Sequence, residues 1–78
     1  MPILRLFGPA RLRAGAARVD LPGRDVAEVL AAAELRFGPQ FTEVLAVSRV
    51  WVNGESADVH LTLAPDDEVA VLPPVSGG

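Results

Sequence analysis

The chain has no cysteine among its 78 residues. That excludes disulfides, zinc-thiolate sites and a thiol nucleophile, so any sulfur it handled would have to ride on another group. Lysine is absent as well, and all seven basic residues are arginine. The only amine left to accept an acyl group is the α-amine of Met1. Apolar runs long enough for a membrane span are missing, and Met1-Pro2-Ile3-Leu4-Arg5 lacks the layout of a signal peptide. A cytoplasmic protein is the expectation. No Gly-x-x-x-x-Gly-Lys-Ser/Thr loop and no Gly-x-Gly-x-x-Gly occurs, so the chain is not expected to bind ATP itself. His60, the one histidine, has no Ser, Asp or Cys arrangement around it that would make a catalytic triad.

What is present suits one small globular domain. Half of the residues are apolar, too many for a disordered segment. Ten carboxylates against seven arginines give a net charge of -3, which disfavours nucleic acid as a partner. Asp66, Asp67 and Glu68 cluster as metal ligands might, yet Asp-rich turns are common, and no metal site is expected.

Strand patterning predicts Ile3 to Phe7 and Arg18 to Leu21 as the first two strands, joined by a hairpin-like connection over Pro9 to Ala17. Asp25 with Glu28 three residues later forms a capping box. Val26, Val29, Leu30, Ala33 and Phe37 follow at helical spacing, and Gly38-Pro39 ends that helix. A short helical turn is expected over Gln40 to Leu45. Arg49 to Val52 reads as a third strand, and Asn53-Gly54 as a hairpin turn in which both residues tolerate positive φ. An irregular extended piece is expected from Ala57 to Leu63, and a last strand over Glu68 to Leu72. Pro73 and Pro74 then stop the ladder, having no backbone N–H.

This order is that of an α+β, ubiquitin-like β-grasp: a mixed sheet of four to five strands with one main helix on one face. The first and last strands should lie side by side in the middle. Residues 1–72 would form the domain and residues 73–78 an extended tail. Period-2 alternation assigns Leu4, Leu6, Val19, Leu21, Val50, Val52, Val69 and Val71 to the covered face. On the open face, Phe7, Trp51 and Leu72 are large apolar exceptions among polar neighbours, as a partner interface would be. A covering loop, or a register slip of one residue, would remove that patch.

The end of the chain is Leu72-Pro73-Pro74-Val75-Ser76-Gly77-Gly78. Terminal glycines ordinarily mark a frayed end. Here a strand runs into two prolines, which favour a stiff extended stem with little entropy to lose. Val75 offers an apolar anchor and Ser76 a hydroxyl. The last two residues have no side chain, so such an arm suits threading into a narrow channel. A carboxylate at Gly78 is a poor electrophile, and its activation would need a separate enzyme.

In Leu6-Phe7-Gly8-Pro9-Ala10-Arg11, Val52-Asn53-Gly54-Glu55 and the closing block from Asp67 to Gly78, the chain resembles the MoaD/ThiS family of sulfur carriers. Within it, the similarity is greatest to the small subunits of molybdopterin synthase. The resemblance covers essentially the whole chain and implies a mechanism. A MoeB-like adenylating enzyme would use ATP to activate the Gly78 carboxylate, and a sulfur donor protein would convert it to a thiocarboxylate. A MoaE-like large subunit, in a heterotetramer, would take in the tail and pass sulfur to cyclic pyranopterin monophosphate. The carrier itself would bind no cofactor and be no enzyme alone, only the sulfur-donating subunit of a sulfurtransferase. By the same resemblance Gly77 permits threading, and Phe7 and Leu72 fall at partner-facing positions. Related carriers with similar tails serve thiazole or cysteine synthesis, and a ubiquitin-like modifier would use Gly78 for an isopeptide. A binding module with an idle tail also stays open.

Overall fold

The computed structural model describes residues 1–74. Eight elements follow in order: β1 (Ile3–Leu6), α1 (Gly8–Ala14), β2 (Arg18–Asp20), α2 (Val26–Phe37), α3 (Pro39–Ala46), β3 (Arg49–Val52), β4 (Glu55–Ser56) and β5 (Glu68–Leu72). The strands form one mixed sheet in the order β2-β1-β5-β3-β4. β1 and β5 run parallel at its centre, and the other pairs are antiparallel. This is the ubiquitin-like β-grasp, with the first and last strands adjacent as the element order implies.

The covered face is the one the alternation selects. Leu4, Leu6, Val19, Leu21, Val52, Val69 and Val71 are buried, and Val50 packs partly buried against them. From α2, Val26, Val29, Leu30 and Ala33 complete the same core, spaced so that one helical stripe meets the sheet. Burying a side chain of this size contributes about 1.5–3 kcal/mol.

Asp25 caps α2 by accepting from the Glu28 N–H at 2.8 Å. The reciprocal bond goes one residue further back than a standard capping box. Glu28 Oε1 accepts from the Arg24 N–H at 2.7 Å. At the other end Gly38, at φ +88°, donates its N–H to the Glu34 carbonyl. Pro39 then opens α3, and the helical turn expected over Gln40 to Leu45 is a full two-turn helix. Phe41 anchors it, fully buried, with its ring 5.2 Å from that of Phe37.

One expectation is corrected, and a second is refined. The connection over Pro9 to Ala17 is no hairpin-like loop, because Gly8–Ala14 is helical. Pro9 sits in the first turn, where its missing N–H costs nothing. The Ala-Arg-Leu-Arg-Ala run that follows has high helix propensity. Gly15, at φ +72°, ends the helix by donating to the Arg11 carbonyl at 2.9 Å. Ala10 is buried, and α1 packs beside α3.

The irregular stretch Ala57 to Leu63 adds no strand to the sheet: the ladder on β3 is Glu55–Ser56, continued only by a bond from the Ala57 N–H to the Val50 carbonyl at 3.3 Å. Its backbone serves α2 instead. The carbonyls of Leu61 and Val59 accept the N–H groups of Val26 and Ala27 at 3.1 and 2.8 Å. Those are first-turn donors with no partner inside the helix. Leu63 donates to the Arg24 carbonyl at 2.8 Å and is itself buried.

Candidate functional site

The candidate site is the open sheet face together with the residues that follow β5. Because α2 covers one side only, side chains alternating outward from β1, β2, β3 and β5 remain uncovered. The register sorts them into rows across the strands. Nearest the stem, Phe7 lies alongside Leu72, since Leu6 pairs with Val71, and Leu72 pairs with Arg49. The next row reads Arg18, Arg5, Ala70, Trp51, Ser56. The farthest row reads Asp20, Ile3, Glu68 and then Asn53.

The structure therefore brings Phe7 and Leu72 together and sets Trp51 one row away, beside Ala70. Phe7 is 41% exposed and Trp51 36%, with Leu72 half-buried. A shallow depression bounded by Arg5, Phe7, Asn53, Gly54, Glu68 and Ala70 lies on the same face.

The stem starts where β5 ends. The Phe7 N–H donates to the Val71 carbonyl at 3.2 Å, extending the β1–β5 pairing to its last rung. Pro73 and Pro74 follow, both exposed. Pro73 rests against Gly8, whose φ of +56° is a left-handed conformation that glycine adopts without steric cost. Val75, Ser76, Gly77 and Gly78 lie outside the described residues.

A polar network not anticipated from the sequence fixes the far end of the face. Asn53, at φ +51°, donates through its amide to Asp67 Oδ1 at 3.0 Å. Its side-chain oxygen accepts the Glu68 N–H at 3.0 Å. Asp67 Oδ2 accepts the Ala64 N–H at 2.8 Å. These bonds, the Asn53 amide first and the Ala64 N–H second, hold the Asp67 carboxyl below the usual aspartate range. Arg5 pairs with Glu68 at 3.3 Å across β1 and β5. Asn-Gly marks the turn in sequence, but that Asn53 reaches residue 67 depends on β3 and β5 being neighbours.

Asp66 lies in the turn that precedes β5, Asp67 follows it and Glu68 is the first residue of β5. Among the described residues, no three His, Cys, Asp or Glu side chains are grouped to hold an ion. His60 lies on an exposed loop, its backbone N–H donating to Asp58. No helix among the described residues is long and apolar enough to cross a membrane.

The sequence model of the ThiS family matches residues 4–78. No curated protein matches the chain by sequence. Among solved structures, the chain is similar to small archaeal modifier protein 1 from Haloferax volcanii. Identity there is 32%, with 99% of this chain and 98% of that one covered and a TM-score of 0.79. The same protein from Methanosarcina acetivorans superposes with a TM-score of 0.88 at 25% identity, covering 99% and 95%. A chain in the complex of subunits 1 and 2 of molybdopterin-converting factor from Helicobacter pylori is 27% identical. There the TM-score is 0.73, with 99% and 97% covered.

Proposed function

As this chain belongs to the ThiS family of ubiquitin-like sulfur carriers, we propose that it carries sulfur as a thiocarboxylate on Gly78 for molybdopterin synthesis. The observation that supports this most is the juxtaposition of stem and patch. The central strand β5 runs out into Pro73-Pro74 immediately beside the exposed Phe7 and the half-buried Leu72. A partner gripping that patch would receive the tail in a defined direction.

The chemistry then follows from the tail. The Gly78 carboxylate attacks the α-phosphate of ATP on a MoeB-like adenylating enzyme, and pyrophosphate leaves. Sulfide (HS⁻), released by a donor protein, attacks the acyl carbon; the carbon–oxygen bond to AMP breaks, AMP leaves, and the new carbon–sulfur bond, with its proton lost, is that of the thiocarboxylate. A MoaE-like large subunit takes in the tail, with Gly77 and Ser76 passing its channel and Val75 seated at the mouth. Its sulfur then bonds to cyclic pyranopterin monophosphate, and water cleaves the acyl–sulfur bond, leaving the sulfur on the pterin and returning Gly78 to a carboxylate. The chain contributes the sulfur and the docking surface, and no catalytic side chain. Similarity to the Helicobacter pylori complex favours this pathway.

A second reading, a protein modifier joined through Gly78 to lysines of other proteins, is favoured by the 32% identity to the Haloferax volcanii modifier. Lacking lysine, this chain would attach singly and could not be extended through its own side chains.

Intact mass spectrometry of the protein expressed with its native sulfurating enzymes separates the two. Exchange of one terminal oxygen for sulfur, with copurification of a MoaE-like subunit and rescue of molybdoenzyme activity, supports the carrier. Gly78 recovered on lysines of other proteins, with an unsulfurated free pool, supports the modifier. An added alanine after Gly78 should abolish either activity. An untrimmed variant of that kind that worked normally would overturn both.

A further inference from the structure

The chain has a single asparagine, Asn53, and it is followed by glycine. Asparagine is a thermolabile residue, and least durable in that pairing, because a side chain on the next residue would hinder the attack that destroys it. The Gly54 nitrogen bonds to the Asn53 side-chain carbon, and the carbon–nitrogen bond of the amide breaks. Ammonia leaves with the proton that Gly54 gives up, closing a succinimide ring. Water then opens the ring at either carbonyl, leaving aspartate or isoaspartate. Here both residues are exposed, and a Cβ built on Gly54 would meet nothing within 4 Å. Water and space are therefore both available at this bond.

The fold holds Asn53 at three points, all on one neighbouring segment. Its backbone N–H donates to the Glu68 carbonyl at 3.0 Å. Its side-chain amide donates to Asp67 Oδ1 at 3.0 Å, and its side-chain oxygen accepts the Glu68 N–H at 3.0 Å. Both polar atoms of the side chain are thus turned toward the residues that lead into β5. Ring closure swings the side-chain carbon onto the Gly54 nitrogen, so it has to break both side-chain bonds. Asp67 cannot easily follow, because its other oxygen accepts the Ala64 N–H at 2.8 Å.

We propose that Asn53 is a latent deamidation site, held shut by Asp67 and Glu68 and released when the turn parts from β5. The product cannot restore the clamp. Aspartate at 53 has no amide to donate, and it sets a second carboxylate against that of Asp67, where like charges repel. Isoaspartate routes the main chain through the side-chain carbon. That adds one backbone atom to a two-residue turn that closes the Val52–Glu55 rung. A copy that opens here long enough to react is therefore marked irreversibly, at the seam between β3 and β5. Such local opening is far more frequent than global unfolding, so the clamp sets how long a folded copy lasts. This holds whichever function Gly78 serves.

Ageing the full chain at neutral pH, with deamidation at Asn53 followed by peptide mass spectrometry and isoaspartate counted separately, tests the proposal. The native protein should react about a hundredfold more slowly than the same chain unfolded in urea, at about tenfold for each side-chain bond. D67A, which removes one of those bonds, should react about tenfold faster than native wild type. V19A weakens the core at β2 without touching the turn, and should stay within about threefold of wild type. N53D, which supplies the aspartate product directly, should melt about 4–8 °C lower for each kcal/mol lost with the clamp. Equal rates in the native and unfolded chains would overturn the proposal. Acceleration in V19A equal to that in D67A would overturn it too, showing general loosening of the fold. An unchanged melting temperature in N53D would overturn the irreversible mark.

Discussion

A Cβ built on Gly8 would stand 3.4 Å from Pro73 Cγ and 3.6 Å from its Cβ and Cδ, so the proline ring is seated on the bare face of the glycine. Gly8 opens α1 and Pro73 follows β5, so one contact joins the first helix to the root of the tail. Glycine is favoured there by its φ of +56°, while an added methyl would meet Pro73 at ordinary contact distance.

Gly8→Ala is therefore expected to destabilise the domain by about 1–2 kcal/mol through the left-handed backbone alone. Thermal unfolding should register about 4–8 °C for each kcal/mol. Because the strained residue supports Pro73 at the root of the stem, loading of Gly78 should fall further than in a variant of equal stability mutated elsewhere in the core. Equal loading at equal stability would remove any role for the contact in aiming the tail.

Phe7→Ala and Trp51→Ala address the patch directly. Both side chains are partly exposed, so truncation should cost about 1 kcal/mol of stability, less than at a buried aromatic. Affinity for the loading enzyme should drop by about 1–3 kcal/mol at an interface centre. Calorimetric titration with paired melting curves reads both quantities. Lower stability with unchanged affinity would reassign these side chains to the core.

Phe41→Ala should cost about 3–5 kcal/mol. This is the largest fully buried side chain, and it holds α3. Denaturant unfolding at constant m-value measures the loss. A cost under 1 kcal/mol would mean that α3 is not part of the cooperative unit.

Asp67 gives the fold an acid-side dependence. Its hydrogen bonds to Asn53 and Ala64 lower the folded-state pKa below the unfolded value. The stabilisation is thus complete above the ordinary aspartate pKa, about 3.9. It fades as pH falls through the lowered folded value. Melting temperatures of wild type and Asp67→Ala should differ at pH 7 and converge toward about pH 2. A gap independent of pH would show that the carboxylate charge is not involved.

By itself the sequence determined what short-range chemistry dictates. Period-2 alternation separated the covered from the open face of β1, β2, β3 and β5, because one shifted residue would have buried Arg5 and exposed Leu4; the two-residue β4 is too short to carry such a pattern. The Asp25 cap and the Gly38-Pro39 stop bounded α2 for the same local reason. Helix α1 was also written there, in Pro9, the Ala-Arg-Leu-Arg-Ala run and Gly15, but a seven-residue helix needs Ala10 buried beneath it to hold, and burial is not a local property. Tertiary structure alone decided the rest. That Arg18 faces Arg5, that Asn53 meets Asp67, and that Gly8 supports Pro73 all follow from β1 and β5 running parallel between β2 and β3. Residues more than sixty positions apart become neighbours there, and no periodicity in a chain encodes such a meeting.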